Sequence, residues 1–227
     1  MTKLLKSGRR SMLQGLIGVA LAVLAGGRSL IRPAAAAAPA IGKVVKLRGN
    51  AFLQRDDART PLAVGAELRT GDLVITLADA RAKLAFLDGS TVSLSEFTKL
   101  TLDQFAFDAA AAARDAAMTL ETGVLRAVVA KAKTGSRFEI ATGTAVAGVR
   151  STDWIVEAEG ARTRVYVLEG AVDVADRGSS MRSLPSIAQE DRLILKPGKV
   201  AKIDGGKPVS VAWDQGKLDA LIAQTAF

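Results

Sequence analysis

From Ile41 onward, apolar and polar residues alternate with a period of two in short runs, and glycine-containing steps interrupt the runs every roughly 8 to 12 residues. That period sends successive side chains to opposite faces of an extended chain, so each run predicts a strand with one buried face. The clearest case places Leu84 and Phe86 on one face, turns at Asp88-Gly89, and resumes with Val92 and Leu94. Asp-Gly tolerates the positive φ of a tight turn, so this stretch predicts a hairpin. Residues 154–158, a turn at Glu159-Gly160, residues 163–168, a step at Glu169-Gly170 and residues 171–174 predict three further strands in a meander. With shorter runs at residues 42–47, 51–54, 72–77, 193–195 and 200–203, the pattern predicts roughly twelve to fifteen strands.

Two stretches break the period. Residues 108–118 are dense in alanine, which favours helix, but they lie between strand-like runs at 100–105 and 118–121 and are read as a mobile hairpin tip. Near the end, Trp213, Leu218, Leu221 and Ile222 recur at close to helical spacing, which predicts a short closing helix within residues 213–227. The expected fold is therefore all-β over residues 41–212. It is either a β-solenoid-like stack of short strands or a two-sheet sandwich, with the stack favoured.

Residues 1–40 follow different rules. Lys3, Lys6, Arg9 and Arg10 precede an apolar stretch over residues 12–27, and an alanine-rich segment ends with Ala38-Pro39-Ala40. Basic, apolar and small-x-small regions in that order predict a signal helix removed after Ala40. The stretch carries Gly15, Gly18, Gly26 and Gly27 and falls short of the about 20 strongly apolar residues of a membrane span. Arg9 and Arg10, followed by Met12 and Leu13, resemble a twin-arginine export motif. General secretion is the other route, and a retained N-terminal anchor the other fate. Export places the mature chain in the periplasm or outside the cell.

Charge and composition narrow the function. The formal charge of +8 includes six basic and no acidic residues within 1–40, so cleavage would leave +2. The excess that would suggest nucleic acid belongs to the leader, and no nucleic-acid partner is expected. The chain has no cysteine and no histidine. Disulfides, thiolate or imidazole metal ligands and histidine-dependent triads are therefore excluded. Asp56, Asp57, Asp72, Asp79, Asp88 and Asp103 form no calcium-loop spacing and are expected to be solvated at strand ends. A two-carboxylate hydrolase is the enzymatic alternative left. Gly143 to Gly148 lacks the strand-to-helix setting of a dinucleotide loop, Asp88-Gly89-Ser90 reads as turn chemistry rather than a nucleophile elbow, and aromatic residues, at 4%, are too few for stacking platforms. No cofactor and no metal ion is expected.

Residues 138–154, which end in Gly148-Val149-Arg150-Ser151-Thr152-Asp153-Trp154, and the later Val165-Tyr166-Val167-Leu168-Glu169-Gly170 resemble the FecR domain. So do the ordered runs upstream: Pro61-Leu62 to Gly65, Leu68 to Asp72, Leu84 to Ser90, and Leu120 to Gly123. The resemblance covers roughly residues 44–200. Ser151 stands where the family has glycine, and if that position needs positive φ the serine costs about 1 kcal/mol or more. In the signalling members of the family a cytoplasmic segment that contacts a sigma factor precedes a membrane span. About ten residues precede the apolar stretch here, so the chain resembles stand-alone secreted members, and the sigma-factor role is not expected of it. The resemblance points to Arg150, Ser151, Thr152, Asp153 and Trp154 as a recognition patch. Their structural alternative has Arg150 paired to an acid, Thr152 bonded to a turn and Trp154 in the core. The expected function is a non-catalytic exported module that binds a periplasmic or membrane protein, for instance by edge-strand pairing. An envelope polysaccharide or peptidoglycan binder is the alternative.

Overall fold

The computed structural model describes residues 38–177, 191–204 and 206–227. The predicted signal helix, with Arg9 and Arg10, lies outside the described residues. Ala38 is exposed, Ala40 is half-buried, and Ile41 is already tied into the fold by donating its N–H to the Leu68 carbonyl at 2.8 Å.

The described chain forms seventeen strands and one helix. The strands are β1 (Gly42–Arg48), β2 (Ala51–Arg55), β3 (Ala58–Pro61), β4 (Glu67–Leu68), β5 (Leu73–Thr76), β6 (Arg81–Phe86), β7 (Thr91–Leu94), β8 (Lys99–Asp108), β9 (Ala113–Val128), β10 (Arg137–Ala141), β11 (Ala145–Val149), β12 (Asp153–Glu159), β13 (Arg162–Glu169), β14 (Val172–Asp176), β15 (Arg192–Leu195), β16 (Lys199–Ile203) and β17 (Val209–Ala212). The helix α1 spans Gln215–Thr225, and the Asp214 side chain caps it by accepting from the Lys217 N–H.

Pairing sorts the strands into two layers. One runs β4-β1-β6-β7-β9-β12-β13-β16-β17. The other runs β3-β2-β5-β8-β9-β10-β11-β14-β15, with β10 parallel to β9 and its other neighbours antiparallel. Strand β9 belongs to both: its first part pairs β8 and β10, and beyond Gly123 it pairs β7 and β12. From β10 onward the chain lays down one hairpin in one layer and the next in the other. This advance along the stack is solenoid-like, while the facing layers enclose a common core as a sandwich does.

The core follows from the alternation. Leu84, Leu94, Leu125, Trp154 and Val165 point inward from one layer and meet Val74, Leu100, Met118, Ile140 and Val174 of the other in one apolar cluster. Each such side chain contributes about 1.5 to 3 kcal/mol by leaving water. A second, smaller cluster lies on the outer face of the first layer, where Leu218 and Leu221 of α1 cover Val124, Ile155, Tyr166 and Val200. That cover explains why Ile155 and Tyr166, on the outward positions of β12 and β13, are apolar or nearly so.

Three expectations change. The predicted meander is not one: β13 pairs β12 and β16, while β14 crosses to the other layer to pair β11 and β15. The crossing occurs at Gly170, which has φ +88, and a Cβ there would stand 2.7 Å from the Ser151 carbonyl oxygen. The alanine-dense stretch narrows to a turn at residues 109–112, because Ala113 to Met118 are already strand β9, with Ala116 and Met118 in the core. Alanine's helix propensity yields here to burial in a sheet. Asp72 and Asp88 are not solvated strand-end acids. The side chains of both are buried, Asp72 against Arg55 and Asp88 against Arg114.

Candidate functional site

The turn between β11 and β12 carries the five residues singled out from the sequence, and the structure sends them in different directions. Trp154 is fully buried in the shared core. Thr152 is buried, its hydroxyl donating to the Ala171 carbonyl at 3.0 Å while its own carbonyl accepts from the Val129 N–H at 2.9 Å. Asp153 takes a two-pronged contact from Arg126, Nε to Oδ1 at 2.9 Å and Nη2 to Oδ2 at 2.6 Å. This hydrogen bonding pushes the Arg126 guanidinium above its ordinary range, against the opposing effect of burial. Ser151 is exposed and is not among the residues with positive φ, so serine in place of the family's glycine imposes no left-handed strain. Arg150 is also exposed, and among the described residues no carboxylate pairs with it.

Arg114 fixes this turn from below. Although β9 places it at an inward position, its guanidinium reaches the end of the core, where it is fully buried. Nη1 donates to Asp88 Oδ2 at 2.5 Å and to the Ala130 carbonyl at 3.2 Å, and Nη2 donates to the Arg150 carbonyl at 3.0 Å. The Asp88 carboxylate in turn accepts from the Ser90 N–H at 3.0 Å and from its hydroxyl at 2.6 Å. Asp88-Gly89-Ser90 is thus a hairpin turn that also anchors a buried cation, and through that cation it holds the Arg150 backbone.

Outside the turn, on the outer face of the second layer, lies an open trough of about 800 Å³. Its floor follows from the strand register: Glu139 of β10 lies opposite Gly148 of β11, Gly148 opposite Asp173 of β14, and Asp173 opposite Ile194 of β15. Their chain neighbours face the core, so these four positions face outward. Gly148 has no side chain, which leaves a bare backbone between the two carboxylates. Arg137 engages Asp115 and also Glu139 at 3.4 Å, and Arg192 engages Asp173 at 3.3 Å. Arg150, Ser151 and Thr152 line one side of the same trough, and Ile194 is 59% exposed in it.

Arg114, Arg137, Glu139, Asp173 and Arg192 were not singled out from the sequence. The alternation places Glu139 and Asp173 on outward faces, but it does not say that β11 joins their strands. Among the described residues no group of three or more acids is placed to hold a metal ion.

Residues 72–173 match the model of a family described as FecR protein. No curated protein matches the chain. Two crystal structures of a candidate anti-sigma factor from Parabacteroides distasonis are similar to it. One has a TM-score of 0.50 at 18% identity, covering 66% of this chain and 63% of that one. The other has a TM-score of 0.49 at 19% identity, over 66% and 64%. The chain thus spans less than two thirds of the length of these relatives, and at 18% identity the likeness to the first is one of fold alone.

Proposed function

The chain is a FecR domain-containing protein, and from that premise we propose that it is a non-catalytic module of envelope signalling that acts by binding another protein. The observation that carries this reading is the trough: the family's own turn presents Arg150 and Ser151 at its side, while Thr152, Asp153 and Trp154 hold that turn rigid from within. A recognition surface on fixed strands loses little freedom when a partner docks. The carboxylates across Gly148 are each engaged by a guanidinium, an arrangement that builds a surface rather than presenting a free acid or base to a substrate. Among the described residues the trough offers no exposed aromatic ring on which a sugar could stack, since Phe138 of its lining is fully buried; this favours protein over polysaccharide.

Among the described residues no helix is long and apolar enough to cross a membrane. The proposed location is the periplasm or the cell exterior, reached by the N-terminal export signal. Replacing Ser151 in the full chain with a photo-crosslinking amino acid, in growing cells, tests the function. A discrete protein adduct from position 151, absent when Glu121 is replaced instead, is expected. No adduct, or the same adducts from both positions, overturns the proposal.

A further inference from the structure

Among the described residues, the charges lining the trough are matched by neighbours at every arginine but one. Arg137 holds Asp115 and Glu139, Arg192 holds Asp173, and Arg114 holds Asp88. Arg150 holds no carboxylate among the described residues, although its carbonyl is pinned by Arg114 at 3.0 Å. The backbone of this residue is therefore fixed while its guanidinium stands exposed at the trough's side with its five donors uncommitted to any acid. A planar guanidinium in that state matches a carboxylate two-pronged.

One exposed ion pair is worth about 0 to 1 kcal/mol, too little to recognise anything alone. The trough supplies the rest. Ile194 is exposed in it, and the bare backbone of Gly148 lets a chain approach closely. β11 is already paired on both sides, by β10 and β14, so an incoming segment cannot add a strand there. Recognition at this place falls to side chains.

Resting on the protein-binding reading above, we propose that the trough takes an extended acidic segment of a partner protein, with a glutamate or aspartate carboxylate on Arg150 and an aliphatic side chain against Ile194. The carboxylate completes Arg150, which pairs with no acid among the described residues, and the aliphatic contact makes the match worth more than a surface ion pair.

The test uses the full chain and a fluorescein-labelled octapeptide containing glutamate, isoleucine and glycine, with a glutamine-for-glutamate peptide as its control, read by fluorescence anisotropy. Binding of the glutamate peptide that weakens with added salt, exceeds that of the control, and falls at least about tenfold in Arg150→Glu but less in Arg150→Lys is expected. Circular dichroism verifies that both variants are folded. Equal binding of the two peptides, or unchanged binding in Arg150→Glu, overturns the acidic recognition while leaving the Ser151 crosslink to stand or fall separately. Displacement of the peptide by free glutamate or inorganic phosphate at the peptide's own concentration shows a small-anion site instead and also overturns it. Peptide binding as expected without a Ser151 crosslink counts against the protein-binding role in cells and not against the chemistry of the trough.

Discussion

Asp88 and Arg114 are both almost completely withdrawn from water, and their value lies in being together. Burying either charge alone costs several kcal/mol, and the Coulomb and hydrogen-bond terms that offset this cost all run through the pair. Asp88→Ala leaves a guanidinium beside Phe138, whose ring lies 5.3 Å from the Arg114 carbon, and with no counter-charge. We expect urea denaturation to show a loss of about 3 to 5 kcal/mol for Asp88→Ala. The double variant Asp88→Ala, Arg114→Met should lose clearly less than the sum of the single losses. Additive losses would mean that the two side chains stabilise the fold independently. Nothing local in the sequence distinguishes Asp88 from Asp56 or Asp57, which are exposed turn acids. The difference arises because β9 runs past the β6–β7 hairpin, a contact between residues 26 positions apart.

Among the elements, β9 decides most, because it alone of the described strands passes from one layer to the other, and Gly123 is where it does so. With φ +98 and Thr98 packed against its α-carbon, a Cβ at this position would stand 2.3 Å from the Thr98 hydroxyl oxygen and 2.6 Å from the Thr98 Cα. Gly123→Ala should therefore destabilise the fold by about 2 to 4 kcal/mol, from left-handed strain and overpacking together. An unchanged thermal midpoint would show that β9 can cross without that conformation. Helix α1 offers a different test. Beneath it, burial first and then the neighbouring Glu157 raise the Tyr166 phenol well above its ordinary value, and the hydroxyl donates to Glu157 Oε2 at 3.2 Å. A group that holds its proton more tightly in the folded state stabilises the fold fully below its unfolded pKa of about 10, and that contribution is lost as pH rises above it. The native protein should thus lose stability above about pH 10 more steeply than Tyr166→Phe, as followed by circular dichroism. Lys217, which also meets Glu157, is present in both proteins, so the difference between them isolates the phenol. Parallel curves would place Tyr166 outside the alkaline transition.

At the scale of the whole molecule, six of the eight excess positive charges lie within residues 1–40, the segment proposed as the export signal. Arg9→Lys with Arg10→Lys keeps that charge and removes the guanidinium pair, and by the twin-arginine reading it should leave the uncleaved precursor inside the cell, as seen by fractionation and immunoblotting. Normal export of this variant would assign the chain to general secretion. The alternation of apolar residues was enough to predict strands, their turns, the all-β class and the closing helix, because a strand's two faces and a helix's stripe are set by residues close in sequence. The absence of cysteine and histidine bounded the chemistry in the same local way, and the turn at 148–154 stood out by its resemblance to a family. Which strands become neighbours depended instead on contacts between distant segments. Only the tertiary structure therefore sent β14 away from β13, carried β9 across both layers, buried Asp88, and set Glu139, Gly148, Asp173 and Ile194 in one row. The five-residue motif was legible in the sequence. That three of its residues support the turn while Arg150 and Ser151 face a trough was settled by packing, because a period of two says which residues share a face but not what that face will meet.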